Sequence, residues 1–325
     1  MLAIFTNTSY DFIGKRRWAY AVSVAIMLLG LGSMYVKGGL QYDIDFTGGT
    51  LVEVRLARPV GVQAVRTRLA RVGLGDSVIQ IFDNPRDVLI RTQLSQVSAT
   101  ELSRRIVQAL DSDGAWAPEV RRVDVVGPQI GSELRRQALY AVLAALGGIL
   151  VYVWLRFDAR GGVVTILSLA HDVIICLGAL SLTNREFSLP VLAALLTVIG
   201  FSVNDRIVMY DRLREIQSRS IAKTLTFAGQ VNLAVNQTLS RTVLTVATVA
   251  MAGAMLFLFG GEALNSFGFV ILIGALTGTT STVYVAAAMD VDWSGWADRR
   301  RRSRRPGAGG PGRPGQVAVI GRPNR

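Results

Sequence analysis

The sequence predicts an α-helical polytopic membrane protein with six transmembrane helices and a small α+β, ferredoxin-like domain between helices one and two. Three observations predict it. Half of the 325 residues are hydrophobic. Six apolar stretches each reach the length of about 20 residues that a helix needs to cross roughly 30 Å of hydrocarbon. The long segment between the first two stretches alternates strand and helix periodicities. The net charge of +12 does not point to nucleic acid, because nine Arg and one Asp between Asp298 and Arg325 carry +8 of it. No folded segment shows a basic stripe with interleaved aromatics, so no nucleic-acid partner is expected. The lone cysteine, Cys176, excludes an internal disulfide and lies in an apolar run, where a buried, inert thiol is expected.

The spans follow in order. Residues 1–17 form a short basic N-terminus, and Trp18 to Val36 is the first span, too long in its apolar core for a cleaved signal and read as an anchor. The others are Gln137 to Leu155, Gly161 to Leu182, Leu189 to Tyr210, Thr242 to Gly260 and Phe267 to Met289. Residues 211–241 connect spans four and five and enter the fifth. Lys15, Arg16 and Arg17, then Arg156 and Arg160, then Arg212, Arg214, Arg219 and Lys223, and finally the Arg-rich tail 290–325 all fall on one side of an alternating chain. The opposite short loops, Thr183 to Ser188 and Gly260 to Ser266, hold one Arg and two Glu. The excess of positive charge marks the cytoplasmic side, so both termini face the cytoplasm and residues 37–136 lie outside, in a cytoplasmic (inner) membrane protein. The tail reads as disordered, with attraction to anionic membrane lipid.

The outer segment reads β-α-β-β-α-β. "TLVEVRL" from Thr50 alternates as a strand, and Val62, Val65, Leu69 and Val72 have helical spacing. "SVIQIF" and "DVLIRT" are strands around the turn "DNPRD" from Asp83 to Asp87. Ser98 and Glu101 have capping-box spacing ahead of a second helix, and "EVRRVDVVG" closes as a strand. That order is the ferredoxin-like pattern. It contains no metal-ligand cluster, nucleophile triad or phosphate loop, so an interaction domain is expected. No nucleotide cofactor is expected either, because "FIGKRR" has a Gly-Lys pair without the rest of a phosphate-binding loop. There is no H-E-x-x-H, and one His with one distant Cys makes no zinc site. The chain is not read as an enzyme.

Polar residues inside the spans carry the functional reading, because a charge there is costly. Asp205 lies about five residues, or on the order of 7 Å, inside the cytoplasmic edge of span four. Asp205 and Arg241 are each 18 residues from Lys223, so a symmetric connection brings them to similar depth. An Asp–Arg pair with a proton-relay role is expected, with Asn236, Gln237 and Thr238 near enough to hydrogen-bond and Asn204 as a further relay element or structural polar group. Desolvation and a neighbouring cation oppose one another at such a carboxylate, so a movement of a few ångströms decides whether it holds a proton. His171 and Asp172 sit at the centre of span three, as relay elements or as structural polar groups. Gly200, and the G-x-x-x-G formed by Gly274 and Gly278, read as helix-packing positions.

Several ordered segments are together specific: "YDIDFTGGTLVEV", "VVGPQIGSELRRQAL", "LAHDVII", "LPVLAALLTVIGFSVNDRIVMYDRLRE", "VNQTLSRT" and "LFGGEALNSFGFVILIGALTGTTSTVYVA". They resemble the SecF subunits of the bacterial Sec protein-export machinery over roughly residues 10 to 290. The resemblance implies pairing with SecD, membership of the proton-driven resistance-nodulation-division superfamily, and use of the proton-motive force to complete translocation of unfolded preprotein. The SecYEG channel and the SecA motor are the further partners it implies. The family's relay carboxylate maps to Asp205 and its basic partner to Arg241. Asp45, Gly48 and Gly49 belong to the outer signature, the glycines making a tight turn into the first strand. The chain departs at Arg206, where such proteins carry a small hydroxyl residue; Arg206 is expected to face outward or to snorkel.

Other readings compete. A proton-coupled small-molecule exporter of the same superfamily needs a chain about twice as long. An intramembrane aspartyl protease needs a G-x-G-D motif, but Asp172 and Asp205 follow His171 and Asn204. A scaffold would use its charges only to fix helix register.

Overall fold

The computed structural model describes residues 8–81, 84–92 and 98–303. Six helices are long and apolar enough to cross a membrane. They are α1 (Arg16–Val36), α5 (Pro128–Arg156), α6 (Ala159–Leu182), α7 (Leu189–Ser218), α8 (Phe227–Phe259), and a last span built from α9 (Gly261–Thr280), a π-helical turn (Ser281–Ala286) and α10 (Ala287–Ser303). The chain is therefore a polytopic membrane protein. Its helices continue past the apolar stretches: α8 starts at Phe227 and the last candidate span reaches Trp296. Hydropathy marks the hydrocarbon slab, whereas helical hydrogen bonding runs on into polar sequence. Residues 290–303, expected to begin a disordered tail, instead continue the last span as helix, while tail residues 304–325, and Phe82 and Asp83 of the expected strand and turn, lie outside the described residues.

Helices α6, α7 and the last span are the buried ones, and α1, α5 and α8 surround them with largely exposed apolar surfaces. Helix α1 crosses α6 at Gly30 and Gly178, where a Cβ on either glycine would lie 2.7 Å from the other's Cα. With no hydrophobic drive between helices in lipid, such close backbone approach supplies dispersion contact. The N-terminal segment is strapped to α8. Asn236 Oδ1 accepts from Tyr10 N at 2.9 Å, Asn232 Oδ1 accepts from Phe12 N at 2.9 Å, and Phe12 and Ile13 are buried beneath. So Asn236 serves the chain's own N-terminus, and Gln237 accepts from Arg212 Nε at 2.7 Å. Thr238 donates to its own helix, at Ala234 O. None of the three is hydrogen-bonded to Asp205, because each has another partner.

Between α1 and α5 lies a four-stranded antiparallel sheet: β1 (Gly49–Arg55), β2 (Val78–Ile81), β3 (Asp87–Thr92) and β4 (Glu119–Val126), in spatial order β2-β3-β1-β4. A short α2 (Ile44–Thr47) precedes β1; α3 (Val62–Ala70) and α4 (Ala99–Leu110) follow β1 and β3. Alternation sorts the sheet's faces. Val52, Val54, Val88 and Ile90 pack with Val65, Leu69, Leu102 and Ile106 from the helices, while Leu51 and Leu89 meet Ile44 on the opposite face. Arg68 closes this core by stacking on Trp116 at 3.5 Å. Ser98 caps α4 by accepting from Glu101 N at 3.3 Å.

Arg55 grips Asp87 with two bonds, at 2.6 and 2.8 Å, and holds its carboxyl below the usual carboxylate range. A depressed value means that this tie between β1 and β3 is fully present above about pH 4 and is lost as pH falls through the depressed value. Asp87→Asn is therefore expected to weaken the outer unit at neutral pH and to make no difference in strong acid, as read by denaturant unfolding at the two pH values. In the membrane, Gly178→Val is expected to force α1 from α6 and to destabilise by about 1–3 kcal/mol. Gly32→Ala, whose added Cβ meets nothing within 4 Å, is the matched control in a thermal melt in detergent.

Candidate functional site

Helix α6 begins with a real cap, Asp158 accepting from Gly161 N at 2.6 Å. From there Thr165, Ser168 and Asp172 recur at spacings of three and four, which places them on one face. All three are buried, at 0, 0 and 1% exposure. Helix α7 offers Ser202, Asp205 and Arg206 by the same spacing, and the last span offers Ser281. These faces meet in the interior of the bundle.

The meeting point is Arg206. The residue is fully buried, and its guanidinium donates to four acceptors while Nε has no hydrogen-bond partner. Nη2 reaches Asp172 Oδ2 at 3.0 Å, Ser168 Oγ at 2.6 Å and Ser281 Oγ at 3.0 Å, and Nη1 reaches Thr165 O at 3.2 Å. The expectation that Arg206 faces outward or snorkels is thus corrected. An inward guanidinium is stable here because a carboxylate and three oxygens from α6 and the last span replace its water. The signal that could have found it is Asp172, a carboxylate at the centre of a span that needed a cation, on a stripe with two hydroxyls.

His171 lies beside this pair. Its Nδ1 is 3.1 Å from Asp172 Oδ1, a carboxylate oxygen that can only accept, and its Nε2 is buried with no hydrogen-bond partner. Although neighbouring residues point about 100° apart, here a chain of contacts runs from His171 through Asp172 to Arg206.

Asp205 is 3% exposed, and its Oδ2 is buried with no hydrogen-bond partner. Arg206 and Arg241 are the cations whose charges reach it. Asp205 and Arg241 do not form an ion pair within 4.0 Å; Arg241 is exposed on α8, and Asn204 is exposed on α7. The structure thus brings together Asp172, Arg206 and His171, and leaves Asp205 without a contact partner on Oδ2.

Gly274 and Gly278 open the last span towards α7. A Cβ on Gly274 would come within 2.2 Å of Val198, and one on Gly278 within 2.3 Å of Ser202 Oγ. Gly200 faces away from this seam, and a Cβ there meets no atom within 4 Å. One turn past Arg206 lies Tyr210, whose buried hydroxyl approaches the carboxyl of Asp290, a residue 2% exposed with Arg160 Nε at 4.0 Å. Asp290 was legible only as part of the polar tail, since hydropathy falls just before it.

Removing one member of a buried pair strands the other, at a cost of about 3–5 kcal/mol. Arg206→Ala and Asp172→Ala are each expected to lower the melting temperature of the detergent-solubilised chain sharply. The double variant, which strands no charge, is expected to recover most of the loss.

Comparison with known proteins agrees with this architecture. Residues 106–296 match the family described as "Protein export membrane protein SecD/SecF, C-terminal". The chain is 41% identical over 286 residues to the protein translocase subunit SecF of Desulfurispirillum indicum, covering 87% of this chain and 91% of that one. It is 40% identical over 277 residues to the protein translocase subunit SecF of Pseudomonas aeruginosa, covering 85% and 89%. A crystal structure of SecDF from Thermus, described as a translocon-associated membrane protein, aligns with a TM-score of 0.80 at 40% identity over 89% of this chain. SecDF in a super-membrane-facing form aligns with a TM-score of 0.67 at 39% identity over 93% of this chain. This chain spans only 39% and 41% of the length of those two SecDF chains. The six spans, the outer sheet between the first two, and these likenesses over nearly the whole chain lead to one conclusion: the chain belongs to the SecF family of protein translocase subunits.

Proposed function

We propose that this chain is an accessory subunit of the Sec preprotein translocase that works with SecD and uses the proton-motive force to promote export across the cytoplasmic membrane. The carrying observation is Asp205, a carboxylate on a membrane-spanning helix with 3% exposure and an unpartnered Oδ2. A buried carboxylate without a fixed partner has no structural reason to stay ionised, so it can take up a proton from one side and release it to the other. Arg241 is the cation that would move towards or away from it, and Arg206, committed to Asp172, is the fixed background charge. His171 and Asp172 then serve as polar structure around the relay, and Asn204 stands beside it on the outer face of α7.

That outer face gives SecD a place to dock. Ala193, Thr197, Gly200 and Asn204 are exposed and recur at helical spacing, so a neighbouring helix can approach closely and reach the side of α7 that carries Asn204. The orientation follows the positive-inside pattern, with both termini in the cytoplasm and the β1–β4 unit in the periplasm. We read that unit as ferredoxin-like, because its β-α-β-β-α-β order and its β2-β3-β1-β4 sheet fit that topology. Unfolded preprotein leaving the SecYEG channel, after SecA has acted, is the substrate in this reading.

Asp205→Asn is expected to abolish the part of export that depends on the proton gradient while leaving assembly with SecD intact. Export into inverted membrane vesicles, with the gradient present and collapsed, measures it. Near-normal gradient-dependent export by the variant would sink the proposal.

A further inference from the structure

Helix α7 starts without a cap of its own. Its N-cap residue, Ser188, makes no side-chain cap bond, and Pro190 follows in the first turn. The first amide donors of a helix need acceptors from elsewhere. Asp45, from α2 and 144 residues earlier in the chain, supplies one: its Oδ2 accepts from Leu189 N at 3.1 Å. An anionic oxygen at this place also meets the positive end of the helix dipole.

The same segment is fastened to the loop before α7 by its backbone. Asp43 N donates to Phe187 O at 3.0 Å, and Phe187 N donates to Gln41 O at 2.7 Å. The rings of Phe46 and Phe187 lie 5.3 Å apart, with Phe46 only 1% exposed. Towards the sheet, Arg91 on β3 donates to Tyr42 O at 2.9 Å, pairs with Asp43 at 3.2 Å and pairs with Glu186 of the loop. Gln80 on β2 donates to Glu186 Oε1 at 2.9 Å. Behind the segment, α5 presses on it: a Cβ on Gly131 would stand 2.8 Å from Gly48 N. The chain then turns into β1 through Gly48 and Gly49 at φ of +70° and +140°, where a Cβ on Gly49 would strike Thr92 O at 2.7 Å.

We propose that Gln41–Gly49 is a rigid joint that carries displacement of α7 into the outer unit, with Asp45, Arg91 and Glu186 as its positioning residues. The inference rests on the reading of Asp205 as the proton-taking group of α7. Asp205 lies 16 residues from Leu189 on one unbroken helix, which places the two about 24 Å apart. A straight helix clamped at its outer end passes tilt or sliding to whatever holds that end. Here the holder is the β2–β3 pair of the sheet, through Gln80 and Arg91. A cleft of about 750 Å³, lined by Asp45, Glu53, Gln80, Arg122 and Glu186 among others, opens beside the joint and leaves the sheet room to tilt.

The test uses the full chain in its native membrane complex, with two readouts. Export into inverted vesicles is measured with a proton gradient and after its collapse, and hydrogen exchange is followed at the Leu189 amide. Asp45→Ala and Arg91→Ala are expected to lose at least about five-fold of the gradient-dependent increment, keep the gradient-independent export, and exchange the Leu189 amide at least about ten-fold faster. Asp45→Asn keeps a carbonyl acceptor and is expected to restore most of both readouts, which a purely electrostatic or proton-carrying role for Asp45 would not allow. Arg91→Ala combined with Glu186→Ala is expected to lose no more than Arg91→Ala alone, because the two act through each other. A full gradient-dependent increment in Asp45→Ala and Arg91→Ala, or equal loss of export with and without the gradient, overturns the joint. If the unaltered chain shows no gradient-dependent increment, the proposed function falls, and the exchange readout decides the joint by itself. Faster exchange then supports it and unchanged exchange overturns it.

Discussion

The interior of this bundle depends on one ion pair. Asp172 and Arg206 are each 1% exposed at their side chains and meet at 3.0 Å. Either charge alone in that place would be expelled or neutralised, because both side chains are buried away from bulk solvent. Together they bind α6 to α7, and the hydroxyls of Ser168 and Ser281 extend the tie to the last span. Close packing at Gly274 and Gly278 follows from the same demand, since Ser281 must come within hydrogen-bonding reach of a guanidinium on α7. A π-helical turn falls at this point of the last span, and such turns shift the register of everything beyond them.

With Arg206 committed, Asp205 next to it is the exceptional carboxylate of α7. Adjacent residues on one helix thus have opposite fates. Arg206 is held by an ion pair and three further acceptors, whereas Asp205 has no ion-pair partner within 4.0 Å and keeps Oδ2 unpartnered. That contrast separates Arg206, a tie between helices, from Asp205, a buried carboxylate with no tie of its own. At the other end of α7, Asp45 fills the vacant cap and the Arg91–Glu186 pair fixes the loop, so a single long helix runs from the unpartnered carboxylate of Asp205 to the β-sheet unit.

Much of this was legible in the chain. Apolar stretches of sufficient length mark six spans, and the alternation in "TLVEVRL" and "DVLIRT" marks β1 and β3. The capping-box spacing of Ser98 and Glu101 marks the start of α4. Local periodicity encodes these features, so local reading finds them. Pairings between distant segments escape such reading. Arg206 and Asp172 are 34 residues apart on different helices, and Asn236 meets the backbone of Tyr10 across 226 residues. Gly30 and Gly178 touch from helices that no spacing rule connects. Asp290 shows the same limit from another side: its hydropathy assigns it to water, and only the packing of α10 against its neighbours buries it.

The sequence by itself determined which six stretches are long and apolar enough to cross a membrane, which residues are costly inside them, and which family the chain resembles. Those properties follow from composition and from spacing within a single helix or strand. Tertiary structure alone decided which partner answers each buried charge. Arg206 read as a surplus cation that ought to turn outward, because its carboxylate and hydroxyls belong to other helices. Helix packing sets the distance across which a guanidinium must reach, and that distance is a property of the assembled bundle rather than of any one segment.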